Sequence, residues 1–276
     1  MVTKKAHIIQ KISTIVLCLW ALVSCQVIPE DERYIQIPKP QSERTHVLLE
    51  FTGFRCVNCP TAAQTAQQLD SLYGDKLIVV ALHPASNPFT QGVYDYTCST
   101  ADEVYRFMKG TASTPFPTGN IDLQPYDGSY FMDPSEWGSQ LLRLSTDTLA
   151  PYLTLTCSAD TTEGLISFGV KLYSEEEVYV AIWLVEDSVM GVQAMPDGTV
   201  NTQYIHRHML RSAAYSAWYG NYVPSISNFS SDMPIPEGCD LNHCSLVALL
   251  LDKTNFTILN AYETKMAYFS AKPTDD

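Results

Sequence analysis

Positive charge is scarce in this chain: 17 Lys and Arg stand against 30 Asp and Glu, a formal net charge of −13 at pH 7. An acidic surface repels phosphate backbones and anionic headgroups, so nucleic acid is excluded as a partner. Long apolar runs are missing once the first 25 residues are set aside. No later segment reaches the roughly 20 residues that a membrane-spanning helix needs. Internal repeats are absent too, which removes stacked-repeat architectures. About 230 residues remain, more than a minimal domain and enough for two.

The N-terminus has a different character. Lys4, Lys5 and Lys11 form a basic region ahead of the apolar Ile15-Val16-Leu17-Cys18-Leu19-Trp20, the layout of an export signal over residues 1–24. Leu22-Val23-Ser24-Cys25 resembles a bacterial lipobox. That resemblance implies cleavage before Cys25 and acylation of its thiol. Several acyl chains on one residue hold a protein on a membrane without crossing it. An ordinary export signal with an incidental cysteine is the plain alternative. Residues 25–43 then read as the lipidated cysteine and an extended tether, with Pro29, Pro38, Pro40 and the acidic Glu30-Asp31-Glu32. The acidic trio resembles the surface-export signals of bacteroidete lipoproteins and reads equally well as a solvated linker.

Hydrophobic periodicity divides the remainder. Val47 to Phe51 and Leu77 to Leu82 are short unbroken apolar runs that suit strands covered on both faces. Between them Ala62, Ala66, Leu69 and Leu72 recur at helical steps until Gly74, which makes a strand–helix–strand unit. Helical patterns follow at Ala101–Lys109 and around Trp137, Leu141 and Leu144. After Pro151 the period changes to alternation: Leu153, Leu155 and Cys157, then Phe168, Val170 and Leu172. The expectation is an α/β domain over residues 44–150 and an antiparallel, immunoglobulin-like β-sandwich over 151–276. Tyr219 to Asn242, rich in Pro, Ser and Asn, reads as a long loop.

Besides Cys25 the mature chain carries Cys56, Cys59, Cys98, Cys157, Cys239 and Cys244. Cys56-Val57-Asn58-Cys59 sits where the first strand feeds the first helix, and a thiolate there is stabilised by unpaired N–H groups and the helix dipole. Cys56 would attack and Cys59, one turn inside, would resolve. A buried Glu50 could take the proton of Cys59, because desolvation raises a carboxyl pKa toward neutrality. Cys239 and Cys244 flank four polar residues and are expected to form a local structural disulfide. Cys98 and Cys157 form either a long-range pair or two buried thiols. Zinc at Cys56 and Cys59 would need two further ligands from Cys239, His243 and Cys244 or from His206 and His208, and neither set has a spacing that demands metal. No metal and no cofactor is expected. His206 and His208 would share a face on a strand, although a polar sandwich face is the plainer reading. His83 reads as structural. Tyr215, Trp218, Tyr219 and Tyr222 read as packing before they read as a ligand platform.

Glu50-Phe51-Thr52-Gly53-Phe54-Arg55-Cys56-Val57-Asn58-Cys59 resembles the active-site segment of the thioredoxin superfamily, and Phe116-Pro117-Thr118 resembles that family's cis-proline loop. The resemblance implies that Pro117 positions a substrate backbone against Cys56. Together with Ala81-Leu82-His83-Pro84, Leu184-Val185-Glu186-Asp187 and His206-Arg207-His208-Met209-Leu210-Arg211, these segments resemble the lipoproteins related to outer membrane protein 28. That family implies a thioredoxin-like domain joined to a β-sandwich on an outer-membrane lipoprotein, at its periplasmic or surface face. Two positions depart from the redox signature. Arg55 stands where tryptophan is usual, and Pro60 follows the second cysteine. Two functions stay open: thiol–disulfide exchange on exported proteins, or non-enzymatic binding of a protein or glycan through the sandwich and its long loop.

Overall fold

The computed structural model describes residues 40–110, 114–146 and 149–268. The export signal, Cys25 and the tether up to residue 39 lie outside the described residues. The order begins with β1 (Gln41–Glu43), β2 (His46–Phe51), α1 (Cys59–Tyr73), β3 (Leu77–Leu82), α2 (Ser99–Lys109), β4 (Thr118–Ile121) and α3 (Trp137–Leu144). Strands then follow without further α-helix among the described residues: β5 (Leu149–Asp160), β6 (Leu165–Tyr173), β7 (Val178–Glu186), β8 (Val189–Ala194), β9 (Val200–His206) and β10 (Met209–Ala213). The last are β11 (Asn221–Val223), β12 (Ile226–Pro234), β13 (Cys244–Asp252), β14 (Ile258–Lys265) and β15 (Ala267–Tyr268).

One large sheet has the order β14-β13-β7-β10-β3-β2-β4, with β11 beside β7. β2 and β3 pair in parallel on either side of α1 in sequence, and β4 runs antiparallel to β2. β10 links the early and late strands, meeting β3 at Met209–Ala81 and β7 along its length. The two segments expected as separate domains, 44–150 and 151–276, therefore share this sheet. A second sheet, β1-β5-β6-β12 with β15 on β5, packs on one face of the first, through Leu153, Leu155, Phe168 and Val170 against Val180, Ile182, Leu246 and Ala248. The layout is mostly β and sandwich-like.

Burial explains the periods. β2 and β3 are covered on both faces and every residue in them is buried. One face packs Leu48 and Val79 against Ala62 and Ala66 of α1 and Leu141 of α3, whereas the other packs Phe51, Val80 and Leu82 against Val104, Tyr105 and Met108 of α2. β6 is covered on one face only, and its buried residues alternate. Pro60 lies in the first turn of α1, where a missing N–H costs nothing, and Gly74 closes the helix at φ 55°.

Two expectations need correction. The segment Tyr219–Asn242, expected as a loop, contains β11 and β12, and β12 pairs with β6 from Ile226–Tyr173 to Pro234–Leu165. β12 is an edge strand with Met233 as its buried side chain, so its Ser, Asn and Asp residues face water while β6 supplies the hydrogen bonds. The end of the expected tether is likewise a strand. β1 pairs with β5, Asn260 Nδ2 donates to Ser42 Oγ at 2.8 Å, and Ser42 Oγ donates to Pro151 O at 3.1 Å.

Gly119 in β4 lies against the buried Trp137 ring, and a Cβ there would stand 2.7 Å from its Cζ2. Gly119→Ala is expected to cost roughly 1–3 kcal/mol by overpacking, read as a lower urea midpoint at unchanged slope. A midpoint unchanged from the native chain would refute this.

Candidate functional site

β2 ends at Phe51, and Thr52 N still donates to Leu82 O at 3.0 Å, so the chain leaves the sheet directly into the cysteine segment. Cys56 N donates to Gly53 O at 3.0 Å and Cys59 N to Cys56 O at 3.3 Å, turns that make Cys59 the first residue of α1. Gly53 is required by close approach, since a Cβ there would sit 2.6 Å from Phe89 O. Cys56 and Cys59 form a disulfide with Cα atoms 5.4 Å apart. Both are buried, at 2% and 1% exposure.

A late segment packs on this motif. The β8–β9 hairpin brings Gln193, whose Nε2 donates to Cys56 O at 2.9 Å and Gly53 O at 3.4 Å. Ala194 N donates to Phe54 O at 2.7 Å and Val192 N to Tyr96 Oη at 3.0 Å. The Phe54 ring meets Tyr94 and Tyr96 edge-on. The Phe116–Pro117 peptide bond is cis, and Phe116 belongs to the buried cluster that holds both cysteines.

Glu50 lies between Ala81 of β3 and Gly119 of β4, 3% exposed, with no hydrogen-bond partner for Oε1. Burial pushes its pKa from 4.5 up to about 8, so the side chain is mostly neutral at pH 7. A cavity of about 260 Å³ is lined by Glu50, Cys59, His83, Gln193, Tyr204 and His206, among others. His83 is buried with both ring nitrogens unpartnered, and burial, then the charges of His206 and Arg211, drive its pKa down to about 3. His206 Nε2 lies 3.3 Å from Val192 O, and burial lowers its pKa to about 4. The His206 ring stands 5.8 Å from that of His83 and 4.9 Å from that of Tyr204. Burial first, and then the Glu50 charge, raise the Tyr204 pKa. The arrangement is a closed disulfide with a neutral carboxyl group behind it, in a cavity where His83 and His206 are also neutral at pH 7.

The fold thus brings Glu50 and Cys59 to one cavity and Phe116 to the cluster holding Cys56 and Cys59. His206 and His208 do not share a strand face, because β9 ends at His206 and His208 has φ 52° in the turn that follows. Tyr204 and the cavity position of His83 were not anticipated. Tyr204 carries a legible signal, since it stands two residues before His206 on the same strand. Trp218 and Tyr219 pack with Phe107 and Phe256, and Trp218 O accepts from Trp183 Nε1 at 3.1 Å, a structural role. Cys98, Cys239 and Cys244 are free thiols in this structure, and Cys157 Sγ donates to Lys265 O at 3.6 Å. The disulfide expected between Cys239 and Cys244 is not formed in this structure, although the two sulfurs lie within 4.8 Å of each other. Among the described residues no helix is long and apolar enough to cross a membrane.

The family described as outer membrane protein Omp28 matches residues 107–267. Among solved structures, HBP35 of Porphyromonas gingivalis is similar with a TM-score of 0.63 at 16% identity, over 84% of this chain and 81% of that one. A protein of Agrobacterium tumefaciens aligns at 9% identity and a TM-score of 0.49, over 79% of this chain and 92% of its own. A domain of the outer membrane lipoprotein Omp28 from Porphyromonas gingivalis aligns over 44% of this chain and 91% of its own, at 18% identity and a TM-score of 0.32. No curated protein matches the sequence.

Proposed function

The chain belongs to the Omp28 family of outer membrane lipoproteins, and from that membership we propose an outer-membrane protein anchored through acylated Cys25 that exchanges disulfides with exported proteins at Cys56–Cys59. In this reading the strand–helix–strand unit around β2, α1 and β3 is a thioredoxin-like domain, and the late strands are an immunoglobulin-like sandwich fused to its sheet. The observation that carries the reading is Glu50. A buried carboxyl with an unpartnered oxygen costs about 1–3 kcal/mol, and a permanent cross-link does not need one beside it.

The chemistry follows from that proton. A thiolate of the partner attacks Cys56 Sγ, forming a partner–Cys56 disulfide and breaking the Cys56–Cys59 bond. Cys59 leaves as a thiolate and takes the proton of neutral Glu50. A second partner thiolate then attacks the partner sulfur of the mixed disulfide and releases Cys56. The partner gains a disulfide and the Cys56–Cys59 pair gains the two electrons. Pro117 would hold the partner backbone beside Cys56. Because both cysteines are buried, exchange requires the motif to open, and in this reading it opens by lifting the β8–β9 hairpin that Gln193 ties to Cys56 O.

Gln193→Ala removes the amide that ties the hairpin to Cys56 O and Gly53 O. It is expected to speed reduction of Cys56–Cys59 by a soluble dithiol about tenfold, equivalent to roughly 1.4 kcal/mol less hold. Differential alkylation with mass spectrometry reads the rate. A pair that stays oxidised at every dithiol concentration, in the native chain and the variant alike, would defeat the exchange reading. The second reading, favoured by the burial of both sulfurs, would then stand: a fixed disulfide in a non-enzymatic protein that binds a protein or glycan.

A further inference from the structure

Another cysteine pair lies at the far end of the row that contains Glu50. Across the large sheet Glu50 pairs with Ala81, Ala81 with Met209, Met209 with Glu186 and Glu186 with Cys244. Four strand spacings separate Glu50 from Cys244, roughly 19 Å. Cys239 reaches the same place from the connection between β12 and β13, through a turn at Leu241–His243. The two sulfurs and a carboxylate oxygen of Glu186 all lie within 4.8 Å of one another. Cys244 is buried, and Cys239 is partly exposed.

Such a trio could suit a soft metal ion, but its carboxylate is already occupied. Glu186 Oε2 pairs with Arg211, and Oε1 accepts from Asp240 N at 2.8 Å. A divalent cation would meet the guanidinium beside it, whereas a thiolate is favoured by the same guanidinium. We propose that Cys239 and Cys244 are a second dithiol–disulfide couple, separate from Cys56–Cys59, in which Cys239 exchanges with external disulfides and Cys244 resolves.

The geometry sets this order. Cys239 is the more exposed residue of the two. A hydrogen bond from the Cys244 thiol, with a smaller contribution from the Arg211 charge, lowers its pKa against the opposing effects of burial and the Glu186 carboxylate. The same contact and burial raise that of Cys244, which stays protonated until it acts. Cys239 thiolate attacks an external disulfide, forms a mixed disulfide and expels one external thiolate. Cys244 then attacks Cys239 Sγ, closing the intramolecular disulfide and expelling the second external thiolate, while its proton goes to Glu186 or water. Two protein thiols are oxidised and one external disulfide is reduced.

Oxidised glutathione is the probe, added to the mature chain with Cys56–Cys59 intact, and peptides are read by mass spectrometry after differential alkylation. The native chain should close Cys239–Cys244. Cys244→Ser should trap glutathione on Cys239, with about tenfold less adduct on Cys244 in the Cys239→Ser chain. Without any substitution, Cys239 of the native chain should alkylate about tenfold faster than Cys98, whose thiol burial pushes up to about 11. An adduct that prefers Cys244, or a native pair that stays reduced, would overturn the proposal. So would thiols that react only after a chelator withdraws a stoichiometric metal ion, which would make the trio a metal site.

Discussion

Between pH 6.5 and 8 the native chain is expected to lose roughly 2 kcal/mol of stability that a Glu50→Gln chain retains. The folded pKa of Glu50 is raised from 4.5 to about 8 by burial. In that window the unfolded chain is ionised at this position and the folded chain is still protonated. Unfolding releases a proton, so rising pH favours it, by up to about 1.4 kcal/mol per pH unit. The contribution is fully present below pH 4.5 and is lost as pH rises through about 8. Glutamine has no proton to release, so the difference between the two urea stability curves isolates the effect. Parallel curves across this window would show that Glu50 is not neutral in the fold and would remove the proton donor from the exchange reading.

The acid arm has the opposite sign. His83 and His206 are held at about 3 and about 4, so the unfolded state binds more protons below pH 6.5 and stability falls with falling pH. Glu50→Gln leaves that arm in place. Stability of the native chain should therefore be greatest near pH 6.5, and the position of that maximum is itself open to measurement.

Asp122→Ala is expected to cost about 3–5 kcal/mol, as removal of one partner from a buried charged network does. Asp122 is fully buried and joins three strands. Its carboxylate accepts from Val47 N at 2.8 Å and contacts His46 Nδ1 at 2.7 Å and Arg44 Nη2 at 3.3 Å. Its carbonyl accepts from Ile258 N at 2.8 Å, at the start of β14. Alanine would leave the buried Val47 N–H and His46 ring without this acceptor, and would be strained at φ 57°. Asparagine tolerates that φ and keeps an oxygen for Val47 N, so Asp122→Asn should lose clearly less. Equal losses in the two variants, or a loss under about 1 kcal/mol in Asp122→Ala, would contradict this account.

How much was legible follows from the range of each interaction. β2, α1 and β3 were readable because their signals are local: an unbroken apolar run, a 3.6-residue stripe and a terminating glycine. The alternation in β5 and β6 was equally visible, since one sheet face is dry and the other wet. β12 was hidden because an edge strand needs no apolar alternation, its partner β6 providing what holds it. The shared sheet was hidden too. It rests on the short contact of β10 with β3, where Met209 meets Ala81 and His208 O accepts from Ala81 N at 2.7 Å. No periodicity announces a junction of that size.

The sequence by itself determined the cysteines at a helix start, with Glu50 six residues before Cys56, because side-chain alternation and the strand-to-helix turn are local consequences of covalent geometry. Only the tertiary structure decided that those cysteines are buried. Gln193 reaches the motif from 137 residues away, and the hairpin that brings it there is placed by long-range packing. Whether a thiol can act depends on what packs around it, and one of the contacts that hold this motif comes from a part of the chain whose local pattern says nothing about cysteine.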